Sequence, residues 1–270
     1  MQYQEESRLA SLPRHATGGF HIVAADRRTY YAIKRLLDIT LASFLLLALL
    51  PIMIIVGIAI FIYSPGPIFF IQERVGAKRK NNGKFLHWEP VKFKCIKFRT
   101  MKLNADPSVH QAYIKALIEN NQKEMDAVQH AATRPCRPVK PEQAAAFQDA
   151  PTRPRKLVDD ARVIAPGKIL RKLSLDELPQ LINVLCGDMS MIGPRPAIPY
   201  EVEMYKPWHK LRLQAQPGIT GLQQVTARCT TDFDKQVELD VEYIEQQSLW
   251  LDLKIAIKTP LAIISTRGAY

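Results

Sequence analysis

I-T-L-A-S-F-L-L-L-A-L-L-P-I-M-I-I-V-G-I-A-I-F-I-Y, Ile39 to Tyr63, is 25 residues without a formal charge. As one straight helix it would run roughly 37 Å at 1.5 Å per residue, against about 30 Å of bilayer hydrocarbon. It starts too late, runs too long and lacks a small-residue cleavage site after it, so a signal peptide is not expected. Pro51 stands at its centre. Proline lacks the backbone N–H, crowds the carbonyl of Leu47 and pushes Leu50 off helical angles. Membrane helices tolerate such a residue as a kink. The flanks point elsewhere. Arg8, Arg14, Arg27, Arg28, Lys34 and Arg35 precede the segment, and a run of lysines and arginines from Arg74 to Lys102 follows it. Basic residues near membrane segments stay on the cytoplasmic side. With both flanks basic, a helix broken at Pro51 would dip in and return, each arm of about 12 residues covering roughly 18 Å. Charge and proline alone support the hairpin and the kinked span equally. Asp38, one turn beyond Lys34 and Arg35, is either paired there or a solvated helix-end charge.

Away from the membrane segment, S-L-D-E-L-P-Q-L-I-N-V-L-C-G-D-M-S-M-I-G-P-R-P, Ser174 to Pro196, carries the chemistry. Adjacent carboxylates, Asp176 and Glu177, follow Arg171 and Lys172, and a rigid Gly193-Pro194-Arg195-Pro196 turn comes after. A carboxylate among fixed cations is a nucleophile suited to phosphorus, as in aspartyl-phosphates. The plainer account is structural. Ser174 and Glu177 fit an S-x-x-E capping box, and Leu178, Leu181, Ile182 and Leu185 form the apolar stripe of a helix stopped by Gly187. Pro179 requires that helix to begin close to it.

The chain has 270 residues, a formal charge of +11 and a pI near 9.5, a balance that fits nucleic acid, anionic lipid or phosphorylated substrates. Cys95, Cys136, Cys186 and Cys229 are scattered without a C-x-x-C, so neither a zinc site nor a disulfide framework is indicated. No Walker loop or dinucleotide fingerprint appears, so ATP or NAD use is not supported.

Ser64-Pro65-Gly66-Pro67 reads as a turn, and Ile68 to Ile71 as a strand or extended link. Val91 to Met101, V-K-F-K-C-I-K-F-R-T-M, alternates with period two and suggests a strand whose cationic face carries Lys92 and Lys94, with Lys97 or Arg99. Such a face meets phosphates or protects a sheet edge. Ser108 to His130 reads as one amphipathic helix, and Thr133 to Pro154, rich in proline, as a loop or insertion. Leu239 to Ile257 reads as helix, and S-L-W-L-D-L-K-I-A-I-K suits a helix in the headgroup region or an ordinary core helix. The fold class expected is α+β, mainly helical: an N-terminal tail over 1–30, a membrane segment over 31–64, and a compact catalytic domain over 65–265, with 105–157 a helix plus Pro-rich insertion.

These stretches resemble the bacterial sugar transferase family, the monotopic phosphoglycosyl transferases. The resemblance is carried by K-R-L-L-D-I-T-L-A (Lys34 to Ala42), P-G-P-I-F-F-I-Q-E-R-V-G (Pro65 to Gly76), K-F-R-T-M (Lys97 to Met101), Gly167 to Pro196, P-G-I-T-G (Pro217 to Gly221) and V-E-L-D-V-E-Y-I with S-L-W-L-D-L-K-I. It covers about residues 31 to 265 apart from the insertion. It implies transfer of a sugar-1-phosphate from a UDP-sugar to polyprenyl (undecaprenyl) phosphate with release of UMP, the first step of surface polysaccharide or glycoconjugate synthesis. It implies a re-entrant helix broken at Pro51, interfacial amphipathic helices, and a bacterial inner-membrane location with the catalytic domain in the cytoplasm. Its Asp-Glu dyad falls on Asp176 and Glu177, with Asp176 the nucleophile and a ligand of Mg2+. An aspartate is ionised at neutral pH and needs no general base. Arg171 and Arg195, with the fork that suits phosphate oxygens, are substrate-binding candidates beside Lys97, Arg99 and Arg228. The partners implied are the UDP-sugar, polyprenyl phosphate and membrane lipid, without nucleic acid; a homo-oligomer is compatible.

Some positions depart from the family pattern. Leu50 stands where a serine often precedes the membrane proline, Gln216 where an arginine often precedes P-G-I-T-G, and Thr226-Ala227 interrupts the usual Q-V-N-G-R around Arg228. Two rival accounts exist. Asp232-Phe233-Asp234 is a D-x-D string that would suit a conventional glycosyltransferase, and a membrane-tethered adaptor would use its basic face on anionic lipid with the Asp-Glu pair only a cap.

Overall fold

The computed structural model describes residues 27–81, 86–132, 160, 162–226 and 232–264. The tail before 27, the whole Pro-rich stretch from 133 to 154 and Arg228 lie outside the described residues.

Helix α1, Arg28–Tyr63, is 36 residues long, about 54 Å at 1.5 Å per residue, and carries Pro51 within it. The break expected at Pro51 does not interrupt the helical element. Lys34, Asp38, Ala42, Met53, Val56, Gly57 and Ile60 are buried. Their helical spacing makes one continuous stripe on the rest of the protein. The other side shows Leu36, Leu37, Phe44, Leu47, Ile54, Ile55, Phe61 and Ile62 to the outside. Only 22% of its most apolar 18-residue window is buried, and α1 is long and apolar enough to cross a membrane.

Strands β1 (Phe69–Asn81) and β2 (Leu86–Phe98) form an antiparallel hairpin with Phe70 opposite Lys97, Gln72 opposite Cys95 and Arg74 opposite Phe93. The expected cationic face holds for Lys92 and Lys94 and is corrected for Lys97, which lies on the other face, and for Arg99, which lies beyond the strand. Phe93 and Cys95 are buried, whereas Lys92 and Lys94 are exposed. With a period of two, Lys97 shares the inner face with Cys95 and stands opposite in sense to Lys92 and Lys94. The β1 strand escapes a pattern search because its inward residues include Gln72 and Arg74.

The single helix expected over 108–130 is two, α2 (Ser108–Ile118) and α3 (Gln122–Ala132). Asn120 between them takes φ 54°, a left-handed conformation that asparagine tolerates, and Asn121 Oδ1 accepts from the Glu124 amide. The chain then passes through α4 (Ala165–Lys172), a 3-10 turn (Leu175–Glu177), α5 (Gln180–Cys186), β3 (Ser190–Ile192), α6 (Pro199–Glu203), a second 3-10 segment (Pro207–Leu213), β4 (Gly218–Thr220) and α7 (Leu222–Thr226). The helix expected over 239–257 also divides, into α8 (Phe233–Gln246) and α9 (Leu249–Ile264). Tyr113 and Leu117 of α2 pack with Trp208, Leu211, Phe233 and Val237 in the largest apolar cluster, so the described part of 105–132 belongs to the core. On α9, Trp250, Leu253, Ile257 and Leu261 form an exposed stripe while Ile255 is buried.

The start of α1 is fastened to the α8–α9 corner. Arg27 donates to the carbonyls of Gln247 and Glu245, and Tyr31 to the Gln247 side chain. Asp252 accepts from Lys34 at 2.9 Å, Tyr30 at 2.9 Å and Tyr243 at 2.8 Å. At its other end the Ser64 carbonyl accepts from Arg99. Asp38 is not a solvated helix-end charge: it is buried, and its Oδ1 accepts from the Met191 amide at 2.9 Å.

Candidate active site

The two carboxylates sit on the turn between α4 and α5. Ser174 has φ 55°, which reverses the chain after α4, and its side chain makes no cap bond to the turn that follows. The expected capping box is therefore absent. Pro179 accounts for this, since its ring would strike the Leu175 carbonyl in a regular helix. The chain instead makes a 3-10 turn over Leu175–Glu177, and the α-helix begins at Gln180. Consecutive residues point apart on such a turn. Asp176 is buried at 7% exposure on the side of Arg171, and Glu177 Oε1 accepts from Lys97 Nζ at 3.1 Å.

Asn183 fixes this geometry. Its side chain donates to the Lys94 carbonyl at 2.7 Å and accepts from the Ile96 amide at 3.0 Å, replacing strand hydrogen bonds and tying α5 to β2 next to Lys97.

Arg171 donates from Nε to Thr100 Oγ1 at 2.9 Å. Burial lowers its pKa below the usual guanidinium range, and Asp176 opposes that shift. Arg195 lines a cleft with Lys97, Glu177, Gln180 and Gln224. Arg74 lines the same cleft and was visible in the sequence only as one of many basic flanking residues. It is buried, donating to the Pro196 carbonyl at 3.1 Å and to Gln72 Oε1 at 2.7 Å. Burial and then the neighbouring Arg195 depress its pKa. The Q-E-R-V-G string held the signal: a strand arginine two residues from a glutamine it can grip. Arg99 is placed differently, beneath the turn that ends α1, where it donates to Ser64. Arg74, Lys97 and Arg195 thus meet one carboxylate, Glu177, in that cleft, an excess of positive charge that favours an anionic guest, while Arg171 stands beside Asp176 outside its lining.

Two glycine-bearing loops cross to hold Arg195. Gly193 donates to the Thr220 carbonyl at 2.9 Å and Gly218 to the Pro194 carbonyl at 2.9 Å, beside the parallel β3–β4 pair. A Cβ on Gly193 would lie 2.3 Å from the Gln216 carbonyl oxygen, and one on Gly218 would lie 2.1 Å from the Gly193 nitrogen. Only glycine permits backbones to approach this closely. G-P-R-P and P-G-I-T-G are thus two halves of one junction.

The D-x-D string serves the fold. Asp232 caps α8 by accepting from the Lys235 amide at 2.7 Å, and Asp234 accepts from the fully buried His209 at 2.9 Å. Burial lowers the His209 pKa, and Asp234 opposes it. Among the described residues no group of three or more His, Cys, Asp or Glu side chains could hold a metal by itself. Asp176, turned away from Glu177 and buried on the side of Arg171, offers one carboxylate, which fits a magnesium ion that draws its other oxygens from substrate phosphate and water.

The sequence model for the bacterial sugar transferases matches residues 29–266. The exopolysaccharide production protein ExoY of Sinorhizobium fredii (strain NBRC 101917 / NGR234) is 35% identical over 265 residues, covering 97% of this chain and all of that protein. An undecaprenyl-phosphate galactose phosphotransferase of Salmonella typhimurium is 34% identical over 90% of this chain and 43% of its own length. A UDP-glucose:undecaprenyl-phosphate glucose-1-phosphate transferase of Caulobacter vibrioides is 34% identical over 92% of this chain and 74% of its own.

Proposed function

Because the chain belongs to the bacterial sugar transferase family, we propose that it moves a sugar-1-phosphate from a UDP-sugar to undecaprenyl phosphate through a covalent Asp176 intermediate. The observation that carries this is a buried Asp176 beside Arg171, with Glu177 held separately by Lys97 at 3.1 Å. In the first step an Asp176 carboxylate oxygen bonds to the phosphorus that bears the sugar. The bond to the bridging oxygen breaks, and UMP leaves with that oxygen. In the second step an oxygen of undecaprenyl phosphate attacks the same phosphorus, and the aspartyl oxygen leaves as carboxylate. The products are the undecaprenyl diphosphate sugar and a regenerated Asp176.

Arg171 holds phosphate against Asp176, and Arg195 with Arg74 and Lys97 offsets charge as it develops on the departing phosphate. Glu177 keeps Lys97 aimed into the cleft. Mg2+, held by Asp176, would neutralise diphosphate oxygens.

The membrane element is re-entrant, and its two ends support that. One end is tied to Asp252 and the other to Arg99, both in the same domain. A straight span of about 54 Å would carry those ends to opposite faces of a hydrocarbon layer of about 30 Å. The exposed stripe on α9 lies in the interface with the domain on the cytoplasmic side.

The test uses purified protein, a radiolabelled UDP-sugar and no acceptor. Mass spectrometry is expected to find the sugar-phosphate adduct at Asp176, and Asp176→Asn to remove both the adduct and at least about 10³-fold of turnover. Turnover by Asp176→Asn near the parent rate would reject the assignment.

A further inference from the structure

A cavity of about 320 Å³ lies at the far end of α5 from the carboxylates. Tyr31 and Arg35 of α1, Lys78 and Arg79 of β1, and Trp88 of β2 line it, and Lys34 and Asp38 reach its wall. Four cations thus meet one carboxylate. Most of these charges already have partners. Lys34 is bound by Asp252 at 2.9 Å, and Lys78 by Asp188 at 3.2 Å. Arg35 caps the C-terminus of α5, donating to the carbonyls of Val184 at 2.6 Å and Leu185 at 2.8 Å. Asp38 is engaged with the Met191 amide.

Arg79 is different. Its guanidinium lies over the Tyr31 ring, 4.4 Å from the centroid, and its Nη1 is buried with no hydrogen-bond partner among the described residues. A buried charged donor without an acceptor is costly, and such groups are normally satisfied. Tyr31 and Trp88 meet edge to face at 5.6 Å and give the cavity an apolar wall. Its depth is also defined. Tyr31, Lys34 and Arg35 open the helix whose exposed apolar residues run from Ile33 and Leu36 onward, so the cavity stands at the level of lipid headgroups.

We propose that this cavity is a phosphate-binding site, separate from the transfer site, occupied by the phosphodiester of an anionic membrane lipid. Arg79 lends its guanidinium charge to a phosphate oxygen, and the Tyr31–Trp88 wall packs against the glycerol and first acyl carbons. The inference is independent of the covalent transfer step and rests on α1 meeting lipid.

The full chain carrying Trp250→Phe, in micelles of a neutral detergent, tests it. This change removes the exposed indole of α9, and Trp208 is buried, so Trp88 reports on the cavity. Brominated phosphatidylglycerol is expected to quench Trp88 saturably, at about tenfold lower mole fraction than brominated phosphatidylcholine. Arg79→Gln should erase that preference without lowering the melting temperature, and turnover is not the readout. Equal quenching by both lipids, unchanged by Arg79→Gln, overturns the site. If millimolar inorganic phosphate raises the melting temperature in an Arg79-dependent way while phosphatidylglycerol shows no preference, the lipid is overturned as the occupant.

Discussion

Replacing Asp252 by asparagine removes the charge that compensates Lys34. The Lys34 and Asp252 side chains are each 10% exposed, so the ammonium left behind has little access to water. Breaking a buried pair by neutralising one member costs about 3–5 kcal/mol, because the remaining charge stays desolvated. The asparagine also turns an NH2 toward the Tyr30 and Tyr243 hydroxyls and Lys34, where every neighbour had been a donor. At roughly 2–4 °C per kcal/mol for a domain of this size, the melting temperature in detergent should fall by roughly 10 °C. Pairing the change with Lys34→Met removes the stranded charge and should recover at least about 2 kcal/mol, since loss of both partners is far milder than loss of one. Thermal unfolding of the four proteins of the double-mutant cycle, followed by circular dichroism, gives the coupling directly. A fall under about 2 °C in Asp252→Asn, or no recovery in the double variant, would refute the idea that this pair clasps the membrane helix to the domain.

Gly193→Ala pushes a Cβ to 2.3 Å from the Gln216 backbone oxygen, with no flexible side chain to yield, so Arg195 should be displaced. Turnover is expected to drop at least about 10²-fold with helix content retained by circular dichroism. Asn183→Ala leaves the Ile96 amide and Lys94 carbonyl without their partners, for a loss of about 2–4 kcal/mol in a denaturation experiment and a weaker donor KM. His110 bonds Tyr200 at 2.5 Å, and burial holds its pKa down at about 4. An unfolded histidine takes its proton near pH 6.5 and the folded one only near 4, so stability should fall as pH drops through that window. His110→Asn should flatten this acid limb, measured as melting temperature against pH.

Much of the architecture is legible from residues alone, for identifiable reasons. The apolar run 39–63 has no alternative to burial or lipid, and the D-E turn followed by Pro179 restricts where α5 starts. What stayed hidden depends on contacts distant in sequence or on polar residues facing inward. The β1 strand places Gln72 and Arg74 inside, which breaks the alternation a reader looks for, and Arg74 passed as one more basic flank. Lys97 was found, but one residue of strand parity separates it from Lys92 and Lys94. The break at Asn120 is a single left-handed residue inside an otherwise helical pattern. The Lys34–Asp252 pair spans 218 positions and has no local signature.

The paired backbone on either side of residues 103–161 has a further use. Met101 bridges Val163, the Lys102 amide donates to the Arg162 carbonyl, and the Ile164 amide to the Thr100 carbonyl. These bonds close the excursion at its base, between Lys97 on one side and Arg171 on the other. The separation of the strand that carries Lys97 from the helix that carries Arg171 is therefore set by this paired backbone. A substitution that breaks this three-point clasp should disturb Lys97 and Arg171 together, although neither residue is part of it.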